Sequence, residues 1–146
     1  MRAKQRHGTK VGPQEGAAAV EFALLAPLLF LILFAILEFG IAFLHVQSIR
    51  TAVREGGRAA AVGSSVTTTR QHTVDASTGS IPSGQQSNVT VSSSESGRCT
   101  PNNIGSDVIV SYDTANLPGG GIIIRIPMIP EMTLTPVVSA TFRCEV

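Results

Sequence analysis

The chain has 146 residues, which is enough for one small domain and an appendage. Only 14% of the residues are charged and the formal net charge is +1, so the chain lacks the strongly basic surface by which many proteins hold nucleic acid. Its two cysteines, Cys99 and Cys144, would be thiols in a reducing cytosol, whereas in an oxidising compartment they are the only candidates for an intrachain bridge.

The N-terminal segment, residues 1–16, is polar and basic. It carries four cationic side chains against one acid, Glu15, and glycine and proline interrupt it repeatedly. We interpret it as a flexible leader and predict no other structure there.

A long apolar run follows the leader. Phe22–Leu37 contains no charged residue, and after Glu38 the run resumes as far as Leu44. As a helix, residues 22–44 would extend over roughly 35 Å, enough to cross a bilayer core of about 30 Å. This helix would be apolar on every side, which is typical of a membrane span. A buried core helix is disfavoured because so short a chain could hardly enclose it. Pro27 is expected to kink it.

The flanks of the span indicate its orientation. The leader is short and cationic, and the downstream part resembles a folding domain, so we predict a cytoplasmic N-terminus and an exported C-terminus. A cleaved secretory signal peptide is the alternative. It is disfavoured because the apolar run is too long and small residues suited to cleavage come only at 59–61, beyond three arginines.

After the span the helical pattern continues to about Val62 and becomes amphipathic. Arg50, Arg54 and Arg58 recur every four residues and form a stripe that is solvated or reaches lipid headgroups. The pair Gly56–Gly57 weakens a helix, so the predicted end lies between Arg54 and Val62.

The C-terminal segment, residues 63–146, predicts a small extracytoplasmic β domain behind a Ser- and Thr-rich stretch. Residues 64–97 are expected to be mostly loop, with a short helix near Gln71–Ala76 and a short strand at Asn88–Ser92. In "DVIVSYD" one face alternates Val108, Val110 and Tyr112, "NLPGGG" supplies a turn, and "GIIIRIP" follows as a second strand. The final strand, "TLTPVVSATFRC", places five residues on one face: Leu134, Val138, Ala140, Phe142 and Cys144.

These elements predict an α+β fold, a long N-terminal transmembrane helix followed by a small antiparallel sheet. A sheet of three or four strands with one buried face is marginal by itself. We therefore expect a helix lying on the sheet, or a disulfide, to stabilise it.

An acid stands at the start of the apolar run. Gly16 is followed by four small or apolar residues, then by Glu21 and Phe22 and the long apolar segment. With the basic leader before it, this pattern resembles the processing site of type IV pilin-like proteins, which a prepilin peptidase cuts on the cytoplasmic side after the glycine. The resemblance implies cleavage between Gly16 and Ala17, which makes Glu21 the fifth residue of the mature chain.

The resemblance extends over residues 16–61, which are similar to the TadE-like family of tight-adherence pilus assembly proteins. The matching features are Gly16, Val20-Glu21-Phe22-Ala23-Leu24, Pro27, Glu38-Phe39-Gly40 and Arg54-Glu55-Gly56-x-Arg58. The family implies a pilin-like fold and a pseudopilin or minor pilin in the bacterial inner membrane, without catalytic activity or cofactor. The implied partners are membrane lipid, a prepilin peptidase, other pilin-like subunits and the assembly platform. Nothing beyond Val62 carries the resemblance.

On this resemblance Glu21, with Phe22 beside it, is an assembly residue. Cleavage creates a free α-amine on Ala17, and the Glu21 carboxylate of a neighbouring subunit can neutralise it inside an apolar bundle. An unpaired acid at the bilayer centre would cost about 2.5–3.5 kcal/mol. The alternative is that Glu21 lies in the headgroup zone near a helix N-terminus, where an acid is mildly favoured.

Glu38 is a second acid, near the outer end of the span. His45 lies seven residues further on, about 20° away around the helix, with Ala42 between them. This narrow polar stripe is suited to contacting another membrane helix, so Glu38 is also predicted to act in assembly. Alternatively, both side chains reach interfacial water.

No pattern indicates an enzyme. His7, His45 and His72 fall in three different segments and show no metal-ligand spacing. The glycines of Leu117–Gly121 precede apolar strand sequence rather than a helix and no lysine accompanies them, so they indicate a turn and not a phosphate loop. The alternative function is a membrane-tethered extracytoplasmic binding or adhesion module with an uncleaved anchor.

Overall fold

A computed structural model describes residues 13–93 and 97–146, with side chains from Gly16 onward. In chain order the elements are α1 (Pro13–Ala61), α2 (Val66–Ala76), β1 (Val89–Ser93), β2 (Asp107–Asp113), β3 (Ile122–Ile124), β4 (Met132–Leu134) and β5 (Val137–Arg143). The fold is α+β, with a long N-terminal apolar helix, small antiparallel sheets and one disulfide, as predicted. The prediction of a flexible leader falls mostly on residues 1–12, which lie outside the described residues. From Pro13 the described part of that segment is helical.

The helix α1 is a single element of 49 residues, about 74 Å long, and continues through Pro27. It ends at Ala61, inside the predicted interval, where Gly63 takes the left-handed conformation and its N–H donates to the carbonyl of Ala60 at 3.0 Å. Ile49 and Val53, in its C-terminal half, are fully buried in the core of the domain.

Gly56 and Gly57 allow other elements to approach α1 closely. A Cβ atom on Gly56 would collide with the side chain of Thr73 in α2, and one on Gly57 would collide with the ring of Phe142 in β5. The two glycines do reduce helix propensity, but their lack of a side chain lets α2 and β5 pack against the same turn of α1. Packing therefore carries the helix past them.

The helix α2 begins five residues before the predicted Gln71. Ser65 caps it, because its side chain accepts a hydrogen bond from the backbone N–H of Thr68 at 3.1 Å. Thr73 is buried and donates to the carbonyl of Thr69 at 2.8 Å. The β-branched residues at its start have low helix propensity, so packing against α1 stabilises the extra turn.

The main sheet has the antiparallel order β1-β2-β5 and packs on the C-terminal half of α1. Val108, Val110 and Tyr112 are buried, which confirms the predicted inward face of β2. Tyr112 pairs with Val89 on one side and with Val138 on the other. The hydroxyl of Tyr112 donates a hydrogen bond to Gln85 Oε1. Burial, and secondarily the negative charge of Asp113, raise the pKa of Tyr112 above its ordinary value. The phenol therefore stays neutral.

The strands β3 and β4 form a separate two-stranded sheet, in which Ile122 pairs with Leu134. The three or four strands that were expected in one small sheet are thus divided between two sheets. Leu134 does not share the inward face of β5, as predicted, but lies in β4 and is 38% exposed. Pro136 lies between β4 and β5 and has no N–H to donate to a strand partner. Its carbonyl accepts a hydrogen bond from the backbone N–H of Thr114 at 3.3 Å.

The disulfide joins Cys99 to Cys144, with 5.3 Å between the Cα atoms, and confirms the predicted bridge. Both cysteines are buried in the core beneath the end of α1. The backbone N–H of Glu145 donates to the carbonyl of Ala61 at 3.0 Å. The C-terminus is thereby attached to the end of the long helix.

Candidate functional site

The N-terminal half of α1 packs against little else among the described residues. Its large apolar side chains are exposed: Val20, Phe22, Leu24, Leu25, Leu28, Leu29, Phe30, Ile32, Leu33, Phe34, Ile36, Leu37, Phe39 and Ile41. The helix from Gly16 to Ala61 is long and apolar enough to cross a membrane, with a mean hydropathy of 2.7 in an 18-residue window of which none is buried. An apolar surface of this extent marks a membrane or protein contact. These are the features of a single-pass membrane anchor.

Gly16 and Ala17 lie in the first turns of this bare part of α1. A Cβ atom added to Gly16 would meet nothing within 4 Å. Glycine inside a helix costs roughly 0.5–1 kcal/mol relative to alanine, so this glycine is unfavourable for the helix alone. No packing contact among the described residues explains why it is there.

Glu21 lies on the same face of α1 as Ala17, one turn along the helix. The two residues are four positions apart, which is about 6 Å along the axis and about 40° around it. Glu21 is exposed, and within residues 13–93 and 97–146 its carboxylate has no hydrogen bond or ion pair. Phe22 beside it is 66% exposed. The structure therefore presents Glu21 and Phe22 outward, and neither contacts the described part of the C-terminal domain.

Glu38 contacts a different part of the same chain. Its Oε2 atom accepts the backbone N–H of Arg125 at 3.1 Å, and Arg125 Nε donates in turn to Glu131 Oε2 at 2.8 Å. Ala42, in the stripe between Glu38 and His45, is buried against the apolar cluster of the β3–β4 hairpin. The hairpin thus occupies the stripe that was expected to face another membrane helix. A role of Glu38 in assembly stays a prediction.

Arg125 and Glu131 are polar partners that the sequence interpretation missed. Arg125 is the one charge in the run "GIIIRIP", and Glu131 follows it six residues later. A lone arginine in an apolar strand is a signal that a carboxylate lies nearby, although its spacing does not identify Glu38. Among the described residues no group of three or more His, Cys, Asp or Glu side chains is placed to hold a metal ion.

Comparison with known protein families identifies one segment. Residues 16–58 match the model of the family described as TadE-like protein. The match confirms the resemblance over that segment, which contains the bare half of α1 and most of its packed half. It associates the chain with pilus-related membrane proteins. No curated protein and no solved structure matches the chain.

Proposed function

We propose that this chain is a TadE-like pseudopilin or minor pilin, a non-catalytic membrane component of tight-adherence pilus assembly. The observation that carries the proposal is that the family match, residues 16–58, contains the exposed apolar stretch of α1 that is long enough to cross a membrane. On this proposal the protein acts by binding other pilin-like subunits and the assembly platform. The bare half of the helix is its principal binding surface.

A prepilin peptidase is proposed to cleave the chain between Gly16 and Ala17. The basic residues 1–16 would be removed, and Ala17 would become the new N-terminus. The proposal is supported by the position of Gly16 and Glu21 within the segment that the family model matches. A peptidase that must approach the backbone closely at that position would explain the residue, because a side chain would intrude.

Glu21 is proposed to pair with the α-amine of Ala17 in a neighbouring subunit. Its carboxylate is exposed and has no partner among the described residues, so it is free to make that contact. Inside an apolar bundle each of the two charges would be costly alone and tolerable when paired. The pair would also fix the axial stagger between adjacent subunits.

The orientation is proposed to be N-terminus in the cytoplasm and C-terminal domain outside the inner membrane. The disulfide between Cys99 and Cys144 supports this, because such bridges persist in oxidising compartments. The cationic residues that precede the span agree with a cytoplasmic N-terminus.

The test is a pair of charge-removing substitutions, Glu21→Gln and Glu21→Ala. We expect both variants to enter the membrane and to lower the amount of assembled pilus by at least about tenfold, because an unpaired charge in an apolar bundle costs about 2.5–3.5 kcal/mol. The measurement is quantification of sheared surface pili and of total subunit by immunoblot. The matched control is Glu55→Gln, which removes an exposed acid in the same helix whose carboxylate pairs with the exposed Arg58 at 3.5 Å.

Normal pili from both Glu21 variants would contradict the pairing and leave Glu21 as a headgroup-zone acid. A tethered binding or adhesion module with an uncleaved anchor would also be insensitive to this position, since it does not assemble through the helix. In that alternative the chain retains residues 1–16, and the mass of the protein extracted from the membrane would show this.

A further inference from the structure

The loop between β3 and β4 extends along α1 toward the N-terminus of the helix. Arg125 lies at the level of Glu38, whose Oε2 atom accepts its backbone N–H at 3.1 Å. The hairpin cluster of Ile122, Ile124 and Ile126 packs against Leu31, which lies seven residues before Glu38. These contacts therefore reach about 10 Å along the helix beyond Glu38, into the stretch that is apolar enough to span a membrane.

Residues 126–130, here called the hairpin tip, have the sequence Ile-Pro-Met-Ile-Pro and contain no polar side chain. Met128 is 92% exposed and Ile129 is 41% exposed, so the outer side of the tip is apolar and uncovered. The two prolines have no N–H, and the N–H of Ile129 donates to the carbonyl of Ile126 at 3.1 Å. The tip thus has few free backbone donors, which lowers the cost of moving it out of water.

The charges of the hairpin lie at its neck. Within residues 122–134 the charged side chains are Arg125 and Glu131, and they pair at 2.8 Å on either side of the tip. Glu38 joins them through the backbone of Arg125. The charges are thus grouped at one level of α1, and only apolar side chains of the hairpin lie beyond that level.

We propose that the hairpin tip inserts into the outer leaflet of the bilayer that α1 crosses, with Glu38, Arg125 and Glu131 at the level of the headgroups. The inference rests on the membrane span within the proposed function. A boundary at Glu38 leaves residues 17–37, about 31 Å of helix, for a hydrocarbon core of about 30 Å. A boundary at Leu44, where the predicted span ends, would place these three charged side chains in the hydrocarbon core, so the boundary at Glu38 is favoured. The surface that covers the tip is then lipid.

This insertion gives the domain a second attachment to the membrane beside the helix. An apolar segment lying 5–10 Å into the interface is a recognised mode of membrane binding, and the reach of the tip beyond Glu38 agrees with it. Two attachment points fix the tilt of the domain relative to the bilayer, whereas one helix alone leaves it free to turn about the point of emergence.

The experiment places a fluorophore on the tip of the full chain in lipid vesicles. Met128→Cys is labelled with an environment-sensitive nitrobenzoxadiazole dye and reconstituted into phosphatidylethanolamine–phosphatidylglycerol vesicles that contain nitroxide-labelled lipid. Because Cys99 and Cys144 are bonded to each other, the introduced cysteine is the one reactive thiol. Thr90→Cys, on an exposed position of β1, is the water-facing control, and Leu29→Cys is the reference within the span.

We expect blue-shifted emission at position 128 and quenching by shallow nitroxide lipid that is several-fold stronger than at position 90. Emission and quenching equal to those at position 90, with position 29 quenched, would overturn the insertion and leave the span intact. Protection at position 128 that disappears when the protein is diluted in lipid would assign the tip to a second copy of the chain, and would also overturn the proposal. An unquenched position 29 would overturn the span and the insertion together.

Discussion

The glycines of α1 differ in their surroundings. At Gly16 and Gly40 a Cβ atom would meet nothing within 4 Å, whereas at Gly56 it would collide with Thr73. Gly56 is therefore required by the chain's own packing. Among the residues that the structure describes, no packing contact requires glycine at position 16 or at position 40.

Gly56→Ala is expected to destabilise the domain although alanine is the better helix former. The added methyl forces apart α1 and α2, and such overpacking costs typically about 1–3 kcal/mol. The measurement is thermal unfolding of the full chain in detergent, followed by circular dichroism. Gly40→Ala is the matched control and should leave the midpoint unchanged or slightly raised, since its Cβ atom meets nothing.

The double variant Gly56→Ala/Thr73→Ala locates the effect at this contact. Removing the Thr73 side chain opens room for the new methyl, so the double variant should lose less stability than the sum of the two single variants. Equal stability of Gly56→Ala and the native chain would contradict the close packing of α1 on α2.

At the scale of elements, the disulfide links the end of β5 to the segment after β1. Cys99 and Cys144 are 45 residues apart, and chain-entropy arithmetic gives a loop of that length roughly 4 kcal/mol. That is comparable to the whole net stability of a small domain. The bridge also holds Cys144 beside Ser106, whose carbonyl accepts its N–H at 2.8 Å.

We therefore expect Cys99→Ser and Cys144→Ser each to lower the steady-state amount of the protein strongly, and to the same degree. The double variant should resemble either single variant, because both remove one shared bond. The measurement is the immunoblot level together with thiol alkylation on non-reducing gels. Alkylation of both cysteines in undenatured cells carrying the native chain would contradict both the bridge and the exported location of the domain.

The sequence predicted those helices and strands whose apolar residues recur at regular spacing. The uninterrupted apolar run predicted the long helix α1, and the alternation of Val108, Val110 and Tyr112 predicted the buried face of β2. The start of α2 was not predictable, because its Val- and Thr-rich first turn is helical through packing on α1. The separate sheet of β3 and β4 was not predictable either, since strands of three residues each do not show from sequence which sheet they join.

In the candidate site, too, local spacing was readable from the sequence and long-range contacts were not. Gly16 and Glu21 could be proposed from the sequence because their spacing is local, and both lie within the segment that the family model matches. The contact of Glu38 with Arg125 joins residues 87 positions apart, and only the fold brings them together. Helix periodicity places Glu38, Ala42 and His45 on one face of α1, but it does not reveal that the β3–β4 hairpin packs on Ala42.

At the scale of the whole molecule, one helix belongs to two environments. Up to Phe30 the described part of α1 is almost entirely bare, the β3–β4 hairpin covers one side of it from Leu31 to Val46, and α2 and the main sheet cover it further on. Because α1 is continuous, contacts made by its bare half determine where the domain is held. On the proposed function, a subunit built in this way would transmit a helical packing arrangement in the membrane to domains outside it.

The measurement that tests this account most directly is the intact mass and N-terminal sequence of the protein extracted from its native membrane. The account predicts a mature chain that begins at Ala17, and an uncut chain with its basic leader in the Gly16→Leu variant, with Gly40→Leu processed normally as the control. A mature-sized protein in the Gly16→Leu variant, or a native chain that retains residues 1–16 in assembled pili, would contradict it.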